Sequence, residues 1–426
     1  MADTGKLIEW SELMKAGAQG LEDERFAEAV QAFDRAVELG RQMGQQELLS
    51  FSLRMLGISQ NRLGNFAVAR KALSESLGLA RQAGNLRGQA EALCGLANVA
   101  YAMDETALAE DLFHEGLEMF GRIEDRLRKA MVLCDLGVLY CNTSRWDKAS
   151  TSYHEALAIC RELKEKHGEA EILVMLGELS RRQDSLEESA LCLKQASMVF
   201  ATLKDWRSLA STLQHLGLAY HDLGDLEKAS ESHRRALALW IDLGEPGEVA
   251  LVLFALGKLA QALGRLEEAE EYFQHSLEMV KDDPEASAYR RQNLGNLYLL
   301  RKSWEKAEDN FKAALELFIQ AGKLERTGEI LETLGFLQEV AGDSKQAESY
   351  YLQALQAFNS SGSKKGQGEV YRTLGLLYEE EGRHKRALEN LWQALNFYRE
   401  LDPGDALQVE KEIQRISRRI RRERSS

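Results

Sequence analysis

The sequence has very few prolines and no apolar stretch long enough to cross a membrane. Only Pro246, Pro284 and Pro403 occur in 426 residues. Because proline breaks helix interiors, this scarcity predicts a chain that is helical almost throughout. A membrane-spanning helix needs a run of about eighteen apolar residues, and none is found. The first residues also lack the apolar core of a secretory signal, so we expect a cytoplasmic protein with no membrane span.

Cysteine is scarce as well, and basic residues are outnumbered. The five cysteines form no Cys-x-x-Cys pair, and their odd number and wide spacing fit a reducing compartment. The formal net charge is −14, from 68 acidic and 54 basic residues. A net negative protein binds polyanions poorly, so we expect no nucleic-acid partner.

A Leu-Gly dipeptide recurs along the chain at an almost constant interval. The glycines Gly137, Gly177 and Gly217 are 40 residues apart, and a single step of 38 residues separates Gly257 from Gly295. Such a period is the mark of a repeat protein. The dipeptides are Leu56-Gly57, Leu136-Gly137, Leu176-Gly177, Leu216-Gly217, Leu256-Gly257, Leu294-Gly295, Leu334-Gly335 and Leu374-Gly375, with Leu96-Ala97 at the missing position.

A second pattern follows each glycine in the same phase. After Gly137 come the small residue Ala149, the large residue Tyr153 and the small residue Ala156, and the other repeats match this order. Intervals of three and four residues place such a set on one helix face. We interpret the unit as two helices, with the small residues of the second helix meeting the glycine of the first and the large residue filling the space beside them.

Glycines also punctuate the ends of the predicted helices. Glycine favours the left-handed conformation that ends a helix, and a following Asn or Asp can cap the next helix. We therefore expect Asn65, Asp225 and Asp343 to cap second helices. Second helices are expected to end at Gly44, Gly84, Gly244, Gly322 and Gly362.

With these motifs the chain resembles the tetratricopeptide repeat (TPR) family, in the 40-residue variety of Pins-type adaptors, kinesin light chain and bacterial multi-TPR proteins. The resemblance implies an all-α, right-handed α-solenoid of about ten repeats over residues 7–400, with the first helix of each repeat lining a concave groove. The repeats are predicted at 10–44, 50–84, 90–124, 130–164, 170–203, 210–244, 250–282, 288–322, 328–362 and 368–401.

The last segment leaves the repeat pattern. Val409, Ile413, Ile416 and Ile420 form one apolar stripe, so residues 405–422 are interpreted as a basic amphipathic helix that caps the final repeat. A docking tail for an acidic partner or an anionic surface is the alternative. The basic residues are Lys411, Arg415, Arg418, Arg419, Arg421, Arg422 and Arg424.

Motifs for catalysis, metal binding or cofactor binding are not found. The sequence has no His-Glu-x-x-His, no Gly-x-Ser-x-Gly and no Walker loop, so we predict neither an enzyme nor a cofactor. The Gly-rich stretch 362–368 is interpreted as a loop between two repeats. His215 and His221 are six residues apart and share a helix face poorly, which disfavours a metal pair.

The family resemblance places a set of variable polar positions in the groove. Amide side chains there can bond the backbone of an extended peptide, and the charge passes from basic in repeats two and five to acidic in repeats nine and ten. The predicted partner-binding residues are Arg54, Asn61, Arg62, Asn98, Asn142, Arg181, Arg182, Gln214, His215, His221, Gln292, Asn293, Asn296, Glu332 and Glu339.

The sequence therefore predicts a scaffold or adaptor whose groove binds a protein or peptide ligand. Two alternatives remain open: a peptide-sensing signalling regulator that acts in trans, and a TPR array that assembles with itself. A monomer is the expected state, because the basic cap helices of two copies would repel each other.

Overall fold

The computed structural model describes residues 2–423, and every regular element in that range is an α-helix. This bears out the predicted all-α fold class. None of the helices in residues 2–423 is long and apolar enough to cross a membrane. The helices are α1 (Ala2–Glu22), α2 (Phe26–Met43), α3 (Gln46–Arg62), α4 (Phe66–Gln82), α5 (Leu86–Ala102), α6 (Thr106–Arg122), α7 (Arg126–Asn142), α8 (Trp146–Leu163), α9 (Lys166–Arg182), α10 (Leu186–Leu203), α11 (Trp206–Asp222), α12 (Leu226–Leu243), α13 (Pro246–Ala262), α14 (Leu266–Met279), α15 (Pro284–Leu300), α16 (Trp304–Gln320), α17 (Leu324–Val340), α18 (Ser344–Ser361), α19 (Lys364–Glu380), α20 (His384–Leu401) and α21 (Pro403–Glu423).

The helices form two compact units. Unit 1 is Met1–Leu223 and contains α1–α11, and unit 2 is Gly224–Ser426 and contains α12–α21. Within each unit, an odd-numbered helix (an A helix) packs against the even-numbered helix that follows it (a B helix), and each such hairpin packs on the next. A helices of successive hairpins also touch, as α3 does with α5 and α17 with α19. Each unit is thus a stretch of α-solenoid.

The recurring glycine lies under the large side chain of its own hairpin. A Cβ atom on Gly257 would lie 2.6 Å from Cδ1 of Phe273, and a Cβ atom on Gly57 would lie 2.5 Å from Cγ of Leu73. The small residues also meet the glycine, since the carbonyl oxygen of Ala69 would lie 3.2 Å from the same Cβ atom on Gly57, but the closest contact is made by the large side chain. Small residues such as Ala69 are fully buried beside this contact and let the B-helix backbone come close to the A helix. The large side chain occupies the space that a methyl group on the glycine would fill.

A tyrosine three residues after the glycine ties each of several hairpins to its predecessor. Tyr140 on α7 donates a hydrogen bond of 2.9 Å to Glu110 on α6, and Arg145 contacts the same carboxylate at 2.6 Å. Burial opposes the ionisation of Glu110, but the hydrogen bonds from Arg145, Tyr140 and Lys148 outweigh it and lower its pKa to about 2.

The same tie recurs in unit 2. Tyr378 on α19 donates to Glu348 on α18 at 2.7 Å, and Arg383 contacts that carboxylate at 2.8 Å. Tyr298 likewise donates to Glu270 at 2.6 Å. A charge-assisted hydrogen bond between hairpins therefore explains why tyrosine recurs at this position. Each of these bonds reaches only the neighbouring hairpin.

Left-handed residues end the B helices where the glycine pattern predicted. The five glycines have φ between 65° (Gly44) and 74° (Gly362). Glu124, Lys164 and Lys204 occupy the equivalent position with φ of 56°, 58° and 59°, so the turn keeps its shape without glycine.

The helix caps follow the prediction only in part. Asp225 and Asp343 accept a backbone hydrogen bond at the starts of α12 and α18. Asn65 makes no side-chain cap on α4, and its Nδ2 donates to Oε1 of Gln60 at 2.8 Å.

Two sequence irregularities have simple explanations. The 38-residue step arises because α14 is four residues shorter than α12, while the link to the next helix is two residues longer, and Pro284 then begins α15. The Gly-rich stretch is not a loop, since α19 begins at Lys364 with Ser363 as its cap. Gly366 is required in that first turn because a Cβ atom would lie 2.5 Å from the ring of Phe358.

Helix α21 covers the last hairpin of unit 2. Val409 and Ile416 are fully buried in the same core as Leu395 of α20. Arg372 on α19 also holds Glu412 through two nitrogens, the shorter contact being 2.6 Å. Arg424 lies outside the described residues, as does the side chain of Arg422.

Candidate partner-binding surface

The A helices of unit 1 leave two adjoining clefts open to solvent. The first inner cleft, of about 400 Å³, is walled by α3, α5 and α7 and lined by Phe51, Met55 and Met131. The second inner cleft, of about 530 Å³, lies along α7 and α9 and shares Met131 and Asp135 with the first. Phe51 is 39% exposed and Met131 58% exposed, so these clefts present apolar side chains to solvent.

An ion network around one buried pair forms the charged side of the first inner cleft. Arg54 contacts Glu91 at 2.6 Å, and each side chain is only 10% exposed. Arg128 contacts Glu91 at 2.8 Å and Arg87 contacts it at 3.5 Å. Burial lowers the pKa of Arg54, opposed by the charge of Glu91. Arg54, which was predicted as a groove charge, is thus already paired within the chain and fixes the cleft wall.

Asn98 and Asp135 meet at the junction of the two inner clefts. Asn98 hydrogen-bonds the Asp135 carboxylate. Burial raises the pKa of Asp135 to about 6, while the bond from Asn98 and the charge of Arg62 act in the opposite direction. Arg62 itself is exposed at the end of α3.

Two cysteines line these clefts as apolar groups. Cys94 lies in the first inner cleft and Cys134 in the second. Burial raises the pKa of both thiols to about 12, so they stay protonated at neutral pH and are poor nucleophiles.

Several predicted groove residues near the end of unit 1 are paired between α9 and α11. His215 contacts Glu178 at 2.6 Å, and Arg181 contacts Asp222 at 3.1 Å. His221 contacts the same Asp222 at 3.4 Å. The two histidines therefore face different carboxylates. In residues 2–423 no three His, Cys, Asp or Glu side chains are grouped as a metal site.

The remaining predicted residues of unit 1 vary in exposure. Arg182 is exposed and Gln214 is half-buried. Asn142 is exposed and donates through Nδ2 to the hydroxyl of Tyr101. Asn61 is half-buried, and its Oδ1 has no hydrogen-bond partner in the described part of the chain.

In unit 2, the amide residues of α15 lie half-buried on one A helix. Asn293 donates through Nδ2 to the carbonyl oxygen of Tyr289 at 2.8 Å, one turn earlier, and so has part of its hydrogen-bonding capacity in use. Gln292 and Asn296 are half-buried beside it.

Helix α17 carries an acidic and apolar surface. Burial raises the pKa of Glu332 to about 7, and the neighbouring carboxylates of Glu369 and Glu329 act in the same direction. Glu339 accepts a hydrogen bond of 2.8 Å from the hydroxyl of Tyr351. Phe336, one turn after Glu332, is 49% exposed.

The structure thus brings the predicted residues together in local groups on A helices. Sequence reasoning missed Glu91, Arg128, Met131 and Phe51. Three of these, Phe51, Glu91 and Met131, share one repeat position, six residues before the glycine or its alanine substitute. That shared position is the signal that could have indicated them.

Stacked helical hairpins with glycine under a large side chain, and A helices that carry the variable surface, define a helical-repeat interaction protein. The tetratricopeptide repeat model matches residues 128–197, 208–282, 284–360 and 326–400, and the chain belongs to this family. Repeats of this kind typically form non-enzymatic scaffolds for protein–protein interaction.

Solved structures share the fold at low sequence identity. The apo form of RapI is 14% identical with a TM-score of 0.61, covering 85% of this chain and 99% of that one. PH0952 from Pyrococcus horikoshii, a signal transduction ATPase with a tetratricopeptide repeat sensor, is 16% identical with a TM-score of 0.57, covering 81% of this chain and 55% of that one. A comparison with curated proteins found no significant match.

Proposed function

We propose that this protein is a scaffold that binds a partner protein, as a peptide or a helix, through the exposed surfaces of its A helices. The observation that carries the proposal is the pair of inner clefts in unit 1, where Phe51 and Met131 are exposed beside the fixed Arg54–Glu91 pair. Contiguous exposed apolar surface rimmed by polar groups is typical of interaction sites.

The inner clefts are suited to binding because little has to be rearranged. The network of Arg54, Glu91 and Arg128 is held by contacts of 2.6 and 2.8 Å before any partner arrives. A surface fixed in advance loses less conformational entropy on association. Methionine at position 131 also adapts to partner side chains of different shape.

A peptide selection tests this proposal. Peptides from a random library are enriched on the full chain and then titrated into Phe51→Ser with Met131→Ser. We expect these variants to weaken binding at least tenfold, because the apolar contacts of the inner clefts are lost. The matched control carries Ile241→Ser with Leu352→Ser, which removes comparable exposed side chains from B helices.

The same peptides test the amides of unit 2. Asn293→Ala with Asn296→Ala should weaken those peptides that bind unit 2 and leave the unfolding transition almost unchanged. Selected peptides that bind every A-helix variant and the control equally well would contradict the proposal.

A cytoplasmic location is part of this proposal, supported by five cysteines that are all free thiols. A peptide-sensing regulator acting in trans would use the same surfaces, so the titrations above bear on it too. Light scattering over a concentration series separates the expected monomer from a self-assembling array.

A further inference from the structure

Asp135 in unit 1 and Glu332 in unit 2 differ from Glu91 and Glu178, two other carboxylates of the A helices, in the groups that surround them. Glu91 is in contact with three arginines and Glu178 with His215. Asp135 instead has the neutral amide of Asn98 as its hydrogen-bond partner, and the positive charge of Arg62 favours its ionised form. The carboxylates of Glu369 and Glu329 oppose the ionisation of Glu332, although they contact Lys365 at 3.8 Å and Arg326 at 2.7 Å, respectively.

Each of these two carboxylates lies one helical turn from a large apolar side chain that is open to solvent. Met131 precedes Asp135 by four residues on α7 and is 58% exposed. Phe336 follows Glu332 by four residues on α17 and is 49% exposed. Residues four apart share a helix face, so each pair forms one small surface with an apolar and an anionic part. Asp135 also lines both inner clefts.

We propose that these two surfaces select partner protein segments in which a lysine or arginine stands beside a large apolar side chain. This inference rests on the proposed function and adds the chemistry of the partner. The apolar side chain of the partner packs on Met131 or Phe336, and its cation pairs with Asp135 or Glu332. An acidic segment is disfavoured in unit 2, because it would meet the carboxylates of Glu329 and Glu369.

The partner is a protein segment rather than a polyanion. A chain with a net charge of −14 repels nucleic acid and anionic lipid at long range and attracts basic segments. Attraction by net charge alone would not distinguish one basic peptide from another, whereas contact with Met131 and Phe336 requires an apolar side chain next to the cation.

Proton release is a second consequence of this pairing. The pKa of Asp135 is raised to about 6 and that of Glu332 to about 7. A partner cation favours the ionised carboxylate and lowers these pKa values, so binding releases protons and strengthens as the pH rises through this range. For each unit by which the pKa of a carboxylate falls on binding, the affinity at a pH above its free and bound pKa values is about tenfold higher than at a pH below them.

Other titrating groups face the same two carboxylates. Cys94 and Cys134 interact with Asp135, and Tyr351 and Tyr398 interact with Glu332. Burial raises the pKa of Cys94, Cys134 and Tyr398 to about 12 and that of Tyr351 as well, so these groups stay neutral across the range in question. His167 also lines the second inner cleft with Asp135, so the pH dependence is assigned to the carboxylates by the Asp135→Asn with Glu332→Gln variant, in which His167 is unchanged.

The test uses three fluorescent peptides of equal length, built from repeats of Leu-Lys-Gly, Leu-Glu-Gly and Ser-Lys-Gly, titrated into the full chain. We expect Leu-Lys-Gly to bind about tenfold more tightly than either of the others. Asp135→Asn with Glu332→Gln should remove most of that advantage. Asp34→Asn with Glu278→Gln makes the same charge change at exposed positions of α2 and α14 and should have little effect.

The pH dependence supplies an independent measurement. Binding of Leu-Lys-Gly should be tighter at about pH 8 than at about pH 5. At about pH 6 binding should release protons to the buffer, and Asp135→Asn with Glu332→Gln should abolish that release. Calorimetry in two buffers of different ionisation enthalpy measures the number of protons.

The outcomes separate this inference from the proposed function. Equal binding of Leu-Glu-Gly and Leu-Lys-Gly, or equal weakening by the control variants, would overturn the inference. If the two peptides bound equally well and Leu-Glu-Gly binding were lost in Met131→Ser with Phe336→Ser, the proposed function would stand and the preference for basic segments would not. Leu-Lys-Gly binding that persisted in Met131→Ser with Phe336→Ser would count against both.

Discussion

The ring of Tyr153 lies directly on Gly137, the glycine of its own hairpin. A Cβ atom on Gly137 would stand 2.6 Å from Cδ1 and 2.7 Å from Cζ of that ring, well inside contact distance. Tyr153 is 3% exposed, so the ring has no room to move outward. Glycine is therefore required here despite its low helix propensity, because the Tyr153 ring fills the space that a side chain would occupy.

We predict that Gly137→Ala destabilises unit 1 although alanine is the better helix former. Overpacking against Tyr153 costs about 1–3 kcal/mol, against a propensity gain of about 1 kcal/mol. Urea unfolding measures the difference. Gly78→Ala is the matched control, since nothing lies within 4 Å of its new Cβ atom and the propensity gain should stabilise it. Equal effects of the two changes would contradict the packing account.

We predict that Lys164→Gly and Lys204→Gly raise the free energy of unfolding by about 1 kcal/mol each, because a left-handed backbone is strained in residues with a Cβ atom. Both lysines are exposed and have φ of 58° and 59°. Thermal melts of the single variants give the measurement. Lys164→Ala and Lys204→Ala keep the Cβ atom, so a similar gain in these controls would rule out relief of strain as the cause.

We predict that Glu110→Gln lowers the free energy of unfolding by about 2 kcal/mol at pH 7, because it weakens charge-assisted hydrogen bonds from Tyr140 and Arg145. The pKa of Glu110 is lowered to about 2, so its contribution is present above its ordinary value near 4.5 and is lost as the pH falls towards 2.

Unfolding curves of wild type and Glu110→Gln should therefore converge on acidification. Glu118→Gln, on the same helix but 66% exposed, should have little effect at any pH. If the difference in free energy of unfolding between wild type and Glu110→Gln stayed constant from about pH 7 to about pH 2, the ionised form of Glu110 would not be the stabilising one.

We predict that Glu91→Gln is more destabilising than Arg54→Met. The first change leaves three arginines without their shared carboxylate and should cost about 3 kcal/mol or more, whereas after the second Glu91 still contacts Arg128 and Arg87. Chemical denaturation of both variants tests the order. Glu162→Gln, whose 60% exposed side chain contacts Arg126, should change stability by less than about 1 kcal/mol.

The fold could be read from the sequence because it depends on side-chain size at fixed intervals. The positions of Gly257 and Phe273, or of Gly44 and Gly244, encode helix pairing and helix ends locally, within one repeat. That the large residue makes the closest contact with the glycine was not predicted, since spacing shows which residues share a helix face but not which side chain lies nearest to a given backbone atom.

The candidate surface was only partly predictable because many of its charged side chains pair with residues of a neighbouring repeat. Arg54 and Glu91 are 37 positions apart, and their pairing depends on how α3 packs on α5. Burial, which sets the pKa of Asp135 and Glu332, likewise comes from neighbouring helices. A list of polar positions therefore could not separate charges that are already paired from those open to a partner.

The ties of Glu110 to Tyr140 and Arg145, and of Glu348 to Tyr378 and Arg383, use the same atoms in both units. Such a joint makes hairpins interchangeable modules. Duplication or deletion of a block that runs from one joint to the next leaves the same kind of seam behind. The length of the chain can thus change by whole modules during evolution while the binding surfaces diverge one helix at a time.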